Sequence, residues 1–129
     1  MQIGLLIIGD EILSGRRQDK HLGHCIEALA QRALQLDWVR MARDDAAQLQ
    51  DEFRCIRHSA DLCFSFGGIG ATPDDITRQC VAAAWEVDLY RHPDAVREIE
   101  AQFGEGAYPQ RIRMGELPQG SVIIPNPVN

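Results

Sequence analysis

The sequence predicts an α/β fold, a three-layer sandwich with a mainly parallel (mixed) central sheet. An apolar, strand-like run gives way to a segment of helical period three times in succession. Repeated strand-helix alternation implies right-handed crossovers, with helices on both faces of one sheet. A polar loop rich in carboxylates or glycine follows each run, where ligands of such sheets bind, beyond the carboxyl ends of the strands.

Gln2 to Ile8 is a near-continuous run of β-branched residues and leucine, which suits a strand buried on both faces. Gly-Asp-Glu-Ile-Leu-Ser-Gly then forms a loop. From Asp19 onward Leu22, Ile26, Leu29, Ala33 and Leu36 recur at helical spacing, so one helix is expected to lay this stripe on the sheet. Trp38 to Met41 reads as the second strand, Ala46 to Ser59 as a helix facing inward with Leu49, Phe53 and Ile56, and Leu62 to Phe66 as the third strand. A helix over Pro73 to Trp85 follows, with Thr72 as its N-cap, Pro73 at its first position and Asp74 and Asp75 in its first turn. Beyond it stand a short extended piece at Val87 to Tyr90 and a helix opened by His92-Pro93-Asp94, with Val96, Ile99 and Phe103 inward and Gly104 past its end. Arg111 to Met114 and Ser121 to Ile124 read as short strands around a Pro118-Gln119-Gly120 turn.

At 129 residues and 45% apolar content the chain has room for one domain. A formal charge of −6 leaves no basic stripe for polyanionic nucleic acid, so small ligands are the expected partners. Ile3 to Ile8 is too short to span a bilayer and lacks the flanks of a signal peptide, which makes a cytoplasmic location without membrane partners the expectation. Cys25, Cys55, Cys63 and Cys80 form no Cys-x-x-Cys pair and read as reduced core thiols. His21 and His24, three apart, share a helical face; solvation is the plainer reading beside a shared metal. Trp38 and Trp85 are expected to pack in the core rather than stack on a heterocycle.

The most chemically suggestive stretch runs from Leu62 to Thr77. Glycines at 67, 68 and 70 remove every Cβ and permit positive φ, so main-chain N–H groups can converge on a phosphate. The loop is not a P-loop, because no lysine follows Gly70, and Pro73 stands where a dinucleotide fingerprint needs glycine. The aspartates after it would complement a helix N-terminus, but an ionised Asp about 4 Å from a docked phosphate opposes it by roughly 4 kcal/mol at an effective dielectric of 20. A helix end returns only about 0.3–1 kcal/mol, or about 2 when partly buried. Anion and carboxylate together call for a cation, and Mg²⁺ bridges one or two carboxylates and phosphate oxygens. Ser14 reads either as a phosphate hydrogen-bond donor or as a turn residue.

Gly9-Asp10-Glu11-Ile12-Leu13-Ser14-Gly15, Arg43-Asp44-Asp45, Gly67-Gly68-Ile69-Gly70 with Asp75-Ile76-Thr77, and Pro125-Asn126-Pro127-Val128 together resemble the molybdopterin-binding domain family, nearest the amino-terminal domain of the competence/damage-inducible protein A type. The resemblance implies a molybdopterin-binding-like domain over 1–129 that lacks the family's last strand and helix. It implies a phosphorylated pterin (molybdopterin) or adenine nucleotide as ligand, a divalent metal (magnesium by type), a homo-oligomer, and a link to molybdenum cofactor biosynthesis. Asp44 and Asp75 are the implied catalytic and metal-binding residues; Gly9, Asp10, Glu11, Ser14, Gly67, Gly68, Gly70 and Thr72 are the implied ligand contacts. Two reactions at phosphorus follow from the resemblance, adenylate transfer to molybdopterin and cleavage of ADP-ribose-type pyrophosphates, beside a third reading as a non-catalytic binding or oligomerisation module. Pro73 and Ala71 depart from the family's usual His and Pro near those positions.

Overall fold

A computed structural model describes residues 1–126; Pro127 and Val128 of the terminal motif lie outside the described residues. The chain divides into two compact units, Met1–Gly68 and Ile69–Asn129, and the division falls inside the glycine loop.

The first unit is built on a parallel sheet of order β2-β1-β3, with β1 at Ile3–Ile8, β2 at Trp38–Ala42 and β3 at Leu62–Phe66. All six residues of β1 are buried, as a strand flanked by two others and covered on both faces requires. Side-chain alternation divides its residues between two layers. Leu5 and Ile7 meet Cys25 of α2 (His21–Ala30), joined by Leu22, Leu36, Phe64 and Phe66. On the opposite face, Arg40 reaches Glu52 (3.4 Å) and Cys55 of α3 (Ala46–Ser59). Helix, sheet and helix thus form three layers within this unit, the arrangement that right-handed crossovers on either side of β1 produce.

Gly4 is the single small residue of β1, and its register explains it. It pairs with Trp38, whose ring lies where a Cβ on Gly4 would be, 1.9–2.4 Å away. Arg40 covers the same ring at 4.5 Å. Trp38 accordingly packs against the sheet, whereas Trp85, expected in the core, is 36% exposed.

α2 stops at Ala30, short of the expected stripe. Leu34 N–H returns to Leu29 O (2.9 Å) and Ala33 takes a left-handed φ of 55°, so the chain turns off the axis. Leu36 still reaches the core, from the loop. α3 matches its expected bounds, and Asp45 caps it by accepting Gln48 N–H at 2.9 Å. A short helix at Asp10–Leu13, α1, occupies what the sequence suggests is a plain loop.

In the second unit α4 runs from Thr77 to Trp85, four residues later than expected, and Thr72 is not its N-cap. Asp75 N–H donates to Thr72 O (3.0 Å), closing a four-residue turn with Pro73 and Asp74 at its centre, where those residue types fit as well as in a helix start. β4 (Leu89–Arg91) pairs antiparallel with β5 (Glu116–Pro118), and α5 spans Pro93–Phe103. His92 caps α5 through its ring, which accepts Asp94 N–H (3.1 Å).

Neither expected late strand forms as drawn. Residues Arg111–Gly115 make a 3-10 turn instead, in which Ile112 and Gly115, three apart, are both buried. Gly115 lies against Ala95, Val96 and Ile99 of α5. The Arg-Ile-Arg-Met alternation imitates a half-buried strand, but only Ile112 is fully enclosed. The ladder falls on Glu116–Pro118, and over Ser121 to Ile124, where Val122 and Ile124 are 85% and 87% exposed, no strand is present. The expected turn at Pro118-Gln119-Gly120 does form, closed by Ser121 N–H to Pro118 O at 3.1 Å. Among the described residues no helix is long and apolar enough to cross a membrane. The four cysteines are free; Cys25 and Cys80 are buried and Cys63 half-buried, but Cys55, expected in the core, is exposed on α3.

Gly4→Ala is expected to cost about 1–3 kcal/mol by overpacking the Trp38 ring. Chemical denaturation should show most of that loss recovered in Gly4→Ala/Trp38→Val.

Candidate functional site

Three loops leave the carboxyl ends of β1, β2 and β3, and hydrogen bonds join the first two. Gly9 N–H donates to Ala42 O at 3.0 Å. Just beyond, Asp10 and Asp44 exchange bonds: Asp44 carboxylate accepts Asp10 N–H and Asp10 carboxylate accepts Asp44 N–H, each at 3.1 Å. Arg43 stands 3.8 Å from the Asp10 carboxylate and offsets part of the charge the pair collects. The expected convergence of the first two acidic loops is therefore real.

The third loop comes equally close. Gly67 has φ 106°, and a Cβ there would lie 2.0 Å from Ile8 O, so only glycine passes over the end of β1. Gly68 follows at φ 67°. A cavity of about 530 Å³ opens beside this crossing, floored by Ile7, Ile8, Ile12 and Phe66. Glu11, Arg17, Gln18, Asp19, Lys20 and His21 supply its polar wall. Of the expected ligand contacts, Glu11 and Gly67 line this cavity. Ser14 does not. Its hydroxyl donates to Glu11 O (3.3 Å) and accepts from Arg16 Nε (3.3 Å), which makes it a turn residue.

Sequence reasoning passed over Arg17, Lys20 and the role of His21. Their signal was local: two arginines and the chain's single lysine fall within five residues after Gly15. Asp19 holds this stretch in place. Its carboxylate accepts His21 N–H (3.1 Å), Leu22 N–H (2.9 Å) and the His21 ring at Nδ1 (2.9 Å). Burial works against its charge, yet these bonds hold its carboxyl below the ordinary range. The His21 ring stacks on Phe66 with centroids 4.2 Å apart and planes at 20°.

The remaining expected residues, Gly70, Thr72 and Asp75, belong to the second unit and form a self-contained knot. Asp75 accepts both the N–H (3.0 Å) and the hydroxyl (2.7 Å) of Thr72, and its carboxylate lies 2.6 Å from where a Gly70 Cβ would be. Arg78, only 7% exposed, donates to Ile69 O and to Gly70 O (3.1 Å). Partial burial disfavours the Asp75 charge, but the Thr72 and Gly70 hydrogen bonds and the Arg78 charge outweigh it and lower the pKa. Both ends of the loop's amide dipoles are thus engaged, carbonyls by Arg78 and N–H groups by Asp75. Among the described residues no group of three or more His, Cys, Asp or Glu is arranged to hold a metal by itself.

Because the Asp75 pKa is depressed on folding, its contribution to stability is fully present above the unfolded value, near 3.8, and fades as the pH falls through the folded value. Thermal melts between pH 7 and 2.5 should therefore show a shallower acid limb for Asp75→Asn than for wild type. Gly67→Ala should cost about 1–3 kcal/mol through the Ile8 clash and the positive φ, measured by the same melts.

The site can be set beside known proteins. Residues 4–126 match the family model described as "Probable molybdopterin binding domain". A CinA-like protein of Anaeromyxobacter sp. (strain K) is 33% identical over 129 residues, covering 98% of this chain and 32% of its own length, and one from Syntrophus aciditrophicus is 30% identical, covering 99% and 31%. The chain thus spans about a third of the length of these relatives. A solved structure of CinA, of unknown function, from Thermoplasma acidophilum superposes with a TM-score of 0.89 at 29% identity, over 99% of this chain and 76% of that one. The tungsten cofactor synthesizing protein MoaB from Pyrococcus furiosus gives 0.54 at 24% identity, over 81% and 62%, a likeness of fold alone. With the match running through β1, all three loops and the second unit, the chain belongs to the molybdopterin-binding domain family.

Proposed function

We propose that this domain binds a phosphorylated pterin or adenine nucleotide with a divalent ion, in the service of molybdenum cofactor synthesis. The observation that carries this reading is the cavity where Gly67 crosses the end of β1, with an apolar floor and Arg17 and Lys20 in its wall. A phosphorylated heterocycle has the matching halves, one flat and poorly hydrated, one anionic. The placement of Arg17 and Lys20 at this cavity suits an anion.

The donor set bears on the ion. A hard cation such as Mg²⁺ takes one or two carboxylates and completes its shell with phosphate oxygens and water, and carboxylates are the charged donors that the loops after β1 and β2 carry. Asp44 in the first unit and Asp75 in the second are each proposed as a carboxylate for such an ion. Such an ion, when bound, would offset charge developing at phosphorus. Asp44 would present the carboxylate already oriented by Asp10 N–H. Asp75 carries a second duty, since its carboxylate also folds the Thr72 turn.

A second reading, hydrolysis of ADP-ribose-type pyrophosphates, draws on the similarity to CinA-like proteins and needs the same groups. A cytoplasmic homo-oligomer is proposed with either reading.

Isothermal titration with AMP or molybdopterin and Mg²⁺ should give saturable heat that Asp44→Asn reduces at least fivefold in affinity; no heat at millimolar ligand sinks the proposal. Chromatography after incubation with ADP-ribose and Mg²⁺ separates the two readings, because only the second yields AMP and ribose phosphate.

A further inference from the structure

His21 has no role in the reading above, yet its side chain is firmly oriented in the cavity wall. One face of its ring lies on Phe66 at 4.2 Å, and its Nδ1 is 2.9 Å from the Asp19 carboxylate. Asp19 is itself fixed by two backbone N–H groups at the start of α2. The side chain nonetheless remains about half exposed (51%), so it is anchored along one face and one edge and open elsewhere. Leu22 and Cys25 continue beneath it into the core, and Phe66 ends β3 beside Gly67. An imidazole held flat at the mouth of a cavity has already lost the rotamer freedom that a ligand would otherwise have to remove.

The neighbouring charges divide cleanly. Arg17 and Lys20 flank His21 in sequence and line the same cavity, and Glu11 stands in it as well. Asp19 is committed to α2 and to the imidazole edge. The cavity therefore offers an aromatic shelf for a planar ring, two cations for a phosphate, and one carboxylate able to accept from an amino group or a ring N–H.

We propose that His21 is the shelf on which the heterocycle of the ligand stacks, in a subsite where Arg17 and Lys20 take its phosphate and Glu11 selects rings that carry hydrogen-bond donors. This inference rests on the reading of the domain as a binder of phosphorylated heterocycles and assigns which residues read the ring. It gives the place to His21 rather than to Trp38, which lies over Gly4, or to Trp85, which belongs to the second unit.

The test compares AMP with ribose 5-phosphate, which has the phosphate but no base, by isothermal titration in Mg²⁺ against five proteins. Stacking of a base on an aromatic side chain is worth about 1–3 kcal/mol, or roughly five- to 150-fold in affinity. His21→Ala should weaken AMP by at least fivefold and leave ribose 5-phosphate within about twofold. His21→Phe, which keeps the shelf and gives up the Asp19 bond, should restore AMP to within about threefold of wild type. Arg17→Ala/Lys20→Ala should weaken both ligands by similar factors. Equal AMP affinity for wild type and His21→Ala, with Gly67→Ala still weakening it, overturns the shelf and leaves the phosphate site standing. Failure of wild type to bind either ligand at millimolar concentration removes the underlying reading, and the shelf with it. Thermal melts of each variant establish that the compared proteins are folded.

Discussion

The passage of the Gly67 backbone over the Ile8 carbonyl is the constraint on which the candidate site depends. A single methyl group at Gly67 would sit at bond-like distance from Ile8 O, so the loop after β3 can lie across the end of β1 only while that position has no side chain. From this crossing follow the cavity beside it, the placing of Phe66 on its floor and the stacking of His21 on Phe66. The loops after β1 and β2 are drawn together by a different device. There the aspartates satisfy each other's backbone N–H groups, so two negative side chains are held near one another by bonds that partly repay their repulsion.

Acidic side chains at these loops serve structure first. Asp45 caps α3, Asp19 accepts the first N–H groups of α2, Asp75 closes the Thr72 turn, and Asp10 and Asp44 lace two loops. A carboxylate can accept at several lone-pair positions, so such duties are compatible with a ligand role, but they change what a mutation reports. Replacing Asp75 perturbs the fold of its loop as well as any ion it meets. Asp44→Asn keeps an oxygen for Asp10 N–H and is the cleaner probe of charge.

Much of this was legible in the sequence, and the misses have physical causes. β1, α3 and β3 were readable because each pairs a clear hydrophobic period with unambiguous stops. The start of α4 was not, because Thr-Pro-Asp-Asp satisfies the rules for a helix N-terminus and for a type I turn alike, and the choice is made by Asp75 bonding backward to Thr72. Arg111–Gly115 failed as a strand because alternation over four residues cannot distinguish a period of two from the i, i+3 pairing of Ile112 and Gly115. In the site, glycines and aspartates stand out by type, whereas Arg17, Lys20 and His21 gain a role only because the turn after α1 and the hydrogen bonds of Asp19 bring them to the cavity. Charged residues between a loop and a helix look like ordinary solvated surface until tertiary structure gives them a neighbour.

The central place of β1 has a bearing on how a nascent chain matures. This strand precedes both of its partners in the chain; pairing with Trp38–Ala42 completes only one of its two edges, and the other waits for Leu62–Phe66. During synthesis the most apolar stretch of the protein therefore leaves the ribosome long before its last partner does. Its full enclosure on both edges therefore requires segments spread over the first sixty-six residues.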